Sequence, residues 1–165
     1  AASDVYKRQV ADRLGWEFAE GDEFHPKANI DKMSAGIPLN DDDRAPWLRF
    51  IRDWMSEQSD AGLNCVLTCS ALKKRYRDIL REARSQVLFI ELDAPMDLVG
   101  ERMAHRKGHY MPTSLLKSQF DTLEPLDAEE GGIIVSVRDT PEKVIEDAVA
   151  ALEKAGAKPA GSTVA

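Results

Sequence analysis

Four short segments with strand character alternate with helical patterns along the 165 residues of this chain. They lie at 16–20, 64–69, 87–92 and 133–137. The segment at 64–69 is a nearly continuous apolar run, as in a parallel strand that helices cover on both faces. Strands that alternate with helices at this spacing indicate βαβ units. We therefore predict an α/β fold with a parallel sheet, in which ligands bind at the carboxyl ends of the strands.

Helical periodicity accounts for most of the remaining chain. Helices are predicted at 5–14, 27–34, 44–61, 73–84, 96–107 and 113–122, and from Pro141 onward. A helix thus comes first, with no strand before it, which is unusual for a parallel sheet. We expect one domain over residues 1–155 and a small, polar, disordered tail at 156–165.

Composition and charge exclude several classes of protein. Hydrophobic residues make up 43% and charged residues 31% of the chain, as in ordinary globular proteins. The net charge of −7 argues against a general nucleic-acid binder, which would present a basic surface. The apolar runs are far too short to span a bilayer, so no membrane association is expected. The N-terminus carries no secretory signal pattern, which makes the cytoplasm the expected compartment.

The cysteines and histidines do not predict a metal centre or a disulfide. Cys65 and Cys69 lie four residues apart in a predicted strand, where their Cα atoms would be about 13 Å apart, beyond the roughly 7 Å of a disulfide. We expect two buried free thiols. His105 and His109 have the spacing of a helical zinc site. No third ligand accompanies them, and Gly108 between them predicts a helix end.

Three segments that should lie at strand ends are rich in polar residues. Residues 20–26 offer carboxylates that can hold Mg²⁺ or accept a proton from a hydroxyl. Residues 40–47 carry three aspartates and Arg44, and would otherwise be a simple helix cap. Residues 69–77 follow a strand and open a basic helix, which suits an anion. From charge alone, solvated helix faces are the simpler interpretation of the basic groups, and a pocket for an anionic ligand is the alternative.

Taken together, these segments resemble gluconokinases. The resemblance covers residues 10–153 in the expected order and spacing. Its motifs are Gly21-Asp22 with His25-Pro26, Pro38 to Arg44 with Pro46-Trp47, Cys69 to Lys74 with Tyr76-Arg77-Asp78, Arg106 to His109, and Ser118-Gln119-Phe120 with Thr122-Leu123-Glu124.

The resemblance implies a fold and a reaction. The fold would be a three-layer parallel sheet flanked by helices, of the nucleoside- and shikimate-kinase-like P-loop class. The reaction would be ATP-dependent phosphorylation of D-gluconate to 6-phospho-D-gluconate with Mg²⁺. By position, Asp22 would act as the base at the attacking hydroxyl and Glu20 would help to order the metal. Gluconate and ATP are the implied partners, and a homodimer is implied only by the family.

The resemblance also implies substrate and nucleotide contacts. Arg44 and Lys73 are the implied ligands of the gluconate carboxylate. His25, Ser70 and Ala71 would line the sugar pocket. Gln119 belongs to the family pattern, so we retain it as a substrate-site candidate beside a plain surface role. Arg102 and Arg106 would lie on a lid at about 102–125 and face the nucleotide, with Arg106 also facing the transferring phosphate.

One family motif has no counterpart in this sequence. A kinase of this class opens with an apolar strand and a glycine-rich phosphate loop, yet no glycine precedes Gly15. Residues 1–9 are atypical for the family, so the predicted fold lacks its first strand. Because that loop binds phosphates and Mg²⁺, we expect impaired kinase activity. The alternatives are a non-catalytic sugar-acid binding or dimerising fragment, and another small-metabolite kinase on the same fold.

Overall fold

The computed structural model describes residues 4–104 and 113–158. Its helices in these ranges are α1 (Asp4–Leu14), α2 (Lys27–Ser34), α3 (Asp41–Asp60), α4 (Lys74–Arg81), α5 (Met96–Ala104), α6 (Leu116–Thr122) and α7 (Pro141–Lys154). Its strands are β1 (Glu17–Glu20), β2 (Cys65–Thr68), β3 (Ile90–Asp93) and β4 (Ile133–Ser136). Short 3-10 helices lie at Gly21–Phe24, Thr113–Leu115 and Ala128–Glu130. The predicted α/β class is confirmed.

The strands form two parallel pairs. β1 pairs with β2, with Glu17 opposite Cys65 and Glu20 opposite Thr68. β3 pairs with β4, beginning with Ile90 opposite Ile133. Within the described ranges no strand pairing joins β2 to β3, so the predicted parallel sheet is present as two separate halves.

A cavity of about 510 Å³ lies between the two strand pairs, and we call it the inter-sheet slot. β2 contributes Val66 and β3 contributes Ile90 to its lining. Side chains of α1 and α7 line it as well, and so do Met55 of α3 and Leu80 of α4. The two strands that could meet across the sheet are therefore separated by an apolar space.

The two larger of three apolar clusters in the described ranges hold most of the elements together, and the third contains only Met33, Leu39 and Leu115. The first joins α1, β4 and α7 through buried side chains that include Leu14, Val135 and Val144. The second joins α3 and α4 and is centred on Trp47, which is fully buried. Partly buried side chains of β2 pack against both clusters: Val66 against the first, and Cys65 and Leu67 against the second. This is the side-chain alternation expected of a strand covered on both faces.

Local sequence explains where α3 begins. The Asn40 side chain accepts a hydrogen bond from the Asp43 amide over 2.8 Å, and the Asp43 carboxylate accepts one from the Asn40 amide over 3.0 Å. This reciprocal cap satisfies amides that a helix start leaves without intrahelical partners. α3 therefore starts at Asp41, three residues before the predicted start at Arg44.

The predicted lid lies partly outside the described residues. α5 runs toward it and ends in the described range at Ala104, and α6 follows the 3-10 helix Thr113–Leu115. His105 and His109, which were not predicted to form a metal centre, lie outside the described residues. No helix in the described ranges is long and apolar enough to cross a bilayer.

Candidate functional site

The carboxyl ends of β1 and β2 meet at Gly21. The Gly21 amide lies 3.3 Å from Thr68 Oγ1, and a Cβ atom at this glycine would stand 2.2 Å from the Thr68 carbonyl oxygen. Only glycine permits this approach. The indole of Trp47 also donates a hydrogen bond to the Gly21 carbonyl over 2.7 Å. The loops after both strands are thereby held at one edge, where a parallel sheet places its ligands.

Asp22 and His25 lie together just beyond β1. The His25 Nε2 atom is 3.9 Å from Asp22 Oδ1, and the imidazole stacks on the Trp47 ring with centroids 4.2 Å apart. Burial lowers the pKa of His25 to about 4; nearby Asp22 opposes that shift and Arg44 adds to it. The ring is therefore neutral at physiological pH. The carboxylate of Asp22, one-third exposed, is the group here that can accept a proton from a bound hydroxyl.

Arg44 is a buried cation with an unsatisfied donor. Its residue is 7% exposed, and no hydrogen-bond partner lies near its Nε atom among the described residues. The guanidinium carbon is 5.5 Å from the centroid of the Tyr76 ring and 6.0 Å from that of Trp47. A buried charged donor without a partner is costly. The arrangement suits an anionic ligand that compensates the buried positive charge.

Lys73 differs from Arg44 because an aspartate already engages it. Lys73 Nζ lies 3.1 Å from Asp41 Oδ1, and the same carboxylate accepts a hydrogen bond from the Tyr76 hydroxyl and pairs with Arg75. The Tyr76 hydrogen bond and then Lys73 lower the pKa of Asp41, while burial and the bond to Asp41 raise the pKa of Tyr76 to about 12. Lys73 is thus fixed beside Tyr76, with its ammonium 5.5 Å from the ring centroid.

Hydrogen bonds from the Arg77 side chain hold the loop that carries Ser70 and Ala71. Arg77 donates to the Ala71 carbonyl over 3.1 Å and to the Glu124 carbonyl over 2.9 Å. Glu124 in turn accepts from the Lys74 amide at the start of α4 over 2.8 Å. The segment after α6 is therefore bonded to the loop after β2. Ser70 and Ala71 lie at the predicted strand end, and their contacts with a sugar stay predictions.

Glu20 is the predicted carboxylate ligand of a divalent cation. It ends β1, pairs with Arg8 at 3.6 Å, and its side chain is 26% exposed. The described ranges contain no group of three or more His, Cys, Asp or Glu side chains placed to hold a metal. Mg²⁺ in nucleotide enzymes is held by one or two carboxylates, waters and substrate phosphates. The chemistry of Glu20 fits that requirement.

Three predicted residues are not brought to this site by any described contact. Arg106 lies outside the described residues, and so does the side chain of Arg102 on α5. Gln119 lies on α6, which packs against α5 and the 3-10 helix Thr113–Leu115. Their roles stay predictions.

Sequence reasoning missed three side chains that organise the site. Asn29 joins His25 to α3, Asp41 holds Lys73, and Tyr76 packs beside Arg44. Asn29 follows His25 by four residues, a spacing that could have suggested contact. The pairing of Asp41 with Lys73 spans 32 residues and leaves no local signal.

Comparison with known proteins identifies the family by sequence. No family model matches the chain. A gluconokinase of Gluconobacter oxydans is 48% identical over 140 residues, covering 85% of this chain and 79% of that protein. The thermoresistant gluconokinase of Escherichia coli is 40% identical over 147 residues, covering 88% of this chain and 84% of that protein.

Solved structures agree with these relatives. An unliganded sugar kinase from Janibacter sp. HTCC2649 matches with a TM-score of 0.88 and 46% identity, over 99% of this chain and 93% of that one. A gluconokinase from Sinorhizobium meliloti matches with a TM-score of 0.82 and 40% identity, over 93% of this chain and 87% of that one. Because these relatives are similar to the chain over most of their length, the chain belongs to the gluconokinase family.

Proposed function

We propose that this protein transfers the γ-phosphoryl group of ATP to D-gluconate and forms 6-phospho-D-gluconate. Family membership supports the reaction, and the named relatives favour it over the alternative of a non-catalytic fragment. The observation that carries the substrate is Arg44, whose buried Nε atom has no acceptor among the described residues. The gluconate carboxylate compensates the buried charge of this guanidinium, and guanidinium groups bind carboxylates with well-matched geometry.

The sugar hydroxyl lies near Asp22 in this proposal. The Asp22 carboxylate accepts the hydroxyl proton as the oxygen attacks the γ-phosphorus, and ADP leaves. His25 is neutral and donates a hydrogen bond instead of taking the proton, and Lys73 adds positive charge beside Arg44. Ser70, Ala71 and Gln119 complete the sugar pocket.

The nucleotide side rests on fewer described residues. Mg²⁺, when bound, neutralises charge on the phosphates, and Glu20 is the residue that would help to hold it. Arg102 and Arg106 would contact the nucleotide from the lid at about 102–125. We also propose that the strands belong to a three-layer, shikimate-kinase-like fold. Homodimerisation and a cytoplasmic location stay predictions.

α1 contains no glycine from Asp4 to Leu14, so it provides no glycine-rich phosphate loop. Removing a single preorganised donor costs roughly 10²–10³ in turnover. Turnover with ATP therefore depends on how the nucleotide phosphates are bound by residues outside α1. A coupled assay with ATP, Mg²⁺ and gluconate measures this. Turnover typical of kinases, about 1–100 s⁻¹, would show that the nucleotide is bound adequately by other residues.

Calorimetry with gluconate tests the sugar site directly. We expect Arg44→Lys to weaken gluconate binding by about ten- to a hundredfold, because one or more charge-assisted hydrogen bonds are lost. Arg49→Lys is the matched control, since Arg49 is an exposed arginine on the same helix. Equal affinity of Arg44→Lys and the parent chain, or no gluconate binding by the parent, would contradict the proposal.

A further inference from the structure

The side-chain amide of Asn29 lies between two groups from different parts of the chain. Asn29 is 3% exposed. Its Nδ2 atom lies 2.9 Å from the backbone carbonyl oxygen of Asp43, in the first turn of α3. The same Nδ2 atom lies 3.2 Å from His25 Nδ1. One amide group thus connects α3 to the imidazole beyond β1.

The Asp43 carbonyl determines which way this amide points. A backbone carbonyl oxygen can only accept a hydrogen bond, so the Asn29 atom beside it must be the NH₂ group. The opposite rotamer would place two oxygens against each other. The second hydrogen of that NH₂ group is then available to His25 Nδ1. The orientation of the Asn29 amide, which is usually ambiguous for Asn, is here fixed by one partner that has no donor.

The tautomer of His25 follows from that orientation. Because Nδ1 accepts a hydrogen bond from Asn29, the proton of the neutral ring resides on Nε2. Nε2 faces Asp22, with 3.9 Å between the nitrogen and Oδ1. Trp47 covers one face of the ring, with the two planes 16° apart, which prevents the imidazole from turning freely.

We propose that Asn29 is a positioning residue that holds His25 in its neutral Nε2–H tautomer. The ring then presents a fixed hydrogen-bond donor toward Asp22 and toward the sugar hydroxyl bound beside it. Its role toward the sugar rests on the proposed function, whereas the tautomer itself does not. Asn29 thereby leaves Asp22 as the proton acceptor at this point of the site.

The charged groups around the ring are compatible with this assignment. Asp22 faces it from the 3-10 helix and favours the protonated ring, while Arg44 faces it from α3 and opposes protonation. Asp43 turns its carbonyl toward Asn29, and its carboxylate is engaged by Lys32 at 2.8 Å. Burial outweighs Asp22 and keeps the pKa of His25 low.

Long-range proton–nitrogen NMR of the imidazole rings at neutral pH tests the tautomer. His25→Gln assigns the signal among the three histidines. We expect a protonated Nε2 and a bare Nδ1 in the parent chain. A protonated Nδ1 or an imidazolium there would overturn the proposal, whatever the variants do.

Variants of Asn29 test its part in this arrangement. In Asn29→Asp the new carboxylate can only accept, so we expect the proton to move to Nδ1 and the titration midpoint of His25 to rise. Asn64→Asp is the control, because Asn64 is exposed and lies before β2. Asn29→Ala serves if Asn29→Asp fails to fold, and is expected to give a mixture of tautomers. An unchanged tautomer in whichever variant folds would contradict the role of Asn29.

Gluconate calorimetry across pH 6–8 separates this proposal from the proposed function. We expect the affinity of the parent chain to be nearly constant in this range, and that of Asn29→Asp to become pH-dependent as His25 titrates. A parent chain that binds no gluconate would overturn the proposed function and leave the NMR result standing. A flat profile in Asn29→Asp, with the tautomer moved, would overturn the role of the Nε2–H donor in binding.

Discussion

The indole nitrogen of Trp47 donates a hydrogen bond over 2.7 Å to the carbonyl oxygen of Gly21. This bond joins the first turns of α3 to the residue that follows β1. Because Trp47 is fully buried and also stacks on His25, one side chain fixes both the strand end and the imidazole. The positions of Gly21 and His25 therefore depend on how Trp47 packs in the core.

Gly21→Ala should destabilise the protein. The added methyl group would stand 2.2 Å from the Thr68 carbonyl oxygen, and backbone must shift to admit it. Overpacking of this kind costs about 1–3 kcal/mol, or more where the backbone resists. Urea unfolding measures the change. Gly100→Ala in α5 is the control, since its nearest neighbour is a side-chain carbon at 3.4 Å; equal stability of the two variants would contradict the close approach.

Glu130→Gln should lower the free energy of unfolding at neutral pH by more than Gly21→Ala does. Arg77 contacts the carboxylate of Glu130 twice, at 2.7 and 2.8 Å, and the two side chains are 4% and 2% exposed. Arg81 adds a third bond at 2.8 Å. Breaking a buried ion pair from one side costs about 3–5 kcal/mol. The free energy of unfolding is the measurement, and Glu129→Gln, an exposed neighbour, is the control.

The same pair gives a defined pH dependence. The hydrogen bond from Arg77, supported by Arg81, holds the pKa of Glu130 well below its ordinary value of 4.5. The stabilisation is therefore complete above pH 4.5 and is lost as the pH falls toward the lower folded-state value. The stability gap between the parent chain and Glu130→Gln should be constant near neutrality and shrink in acid. A gap that widens in acid would refute this assignment.

His25 should lower stability in mild acid. Burial lowers its pKa from 6.5 to about 4 in the folded protein. Between these values the unfolded chain binds a proton that the folded chain does not, so stability falls as the pH drops from 6.5 toward 4. Unfolding of the parent chain and of His25→Gln, compared across this range, isolates the contribution. The variant should show the shallower decline.

The two cysteines should react slowly in the native protein. Burial raises the pKa of Cys69 to about 12 and also raises that of Cys65. Because the thiolate is the nucleophile, little reactive form exists at pH 8. Mass spectrometry after iodoacetamide treatment should find little labelling without urea and two labels with it. Rapid native labelling of Cys69→Ser would indicate that Cys65 is the accessible thiol, contrary to this expectation.

The sequence predicted helices and strands better than it predicted how strands pair. α2 lies at Lys27–Ser34 as predicted, because its apolar pattern and Gly36 are local signals. β3 begins at Ile90 and not at Val87, since a strand extends only where a partner lies beside it. The separation of β2 from β3 likewise depends on tertiary packing. Both cysteines are free, as predicted, but both residues are partly exposed and not fully buried as expected.

The site was predictable in residue type and less so in arrangement. The family pattern indicated Asp22, His25, Arg44 and Lys73, and described contacts relate these four through Trp47 and Tyr76. The sequence could not distinguish Arg44, whose buried Nε atom has no hydrogen-bond partner among the described residues, from Lys73, which bonds to Asp41. That difference arises from contacts between residues far apart in the chain.

The inter-sheet slot separates the two strand pairs, and this separation affects how the protein unfolds locally. β2 and β3 share no backbone ladder in the described ranges, and side chains of β2 pack against both apolar clusters. α1 packs against both β2 and α7 and thus bridges the two halves. Native proteins open in cooperative units of unequal stability. Fraying of α1 would remove one set of contacts between the halves and leave the bonds of Arg77 and Arg81 to Glu130. The cooperativity of unfolding therefore depends in part on the first helix.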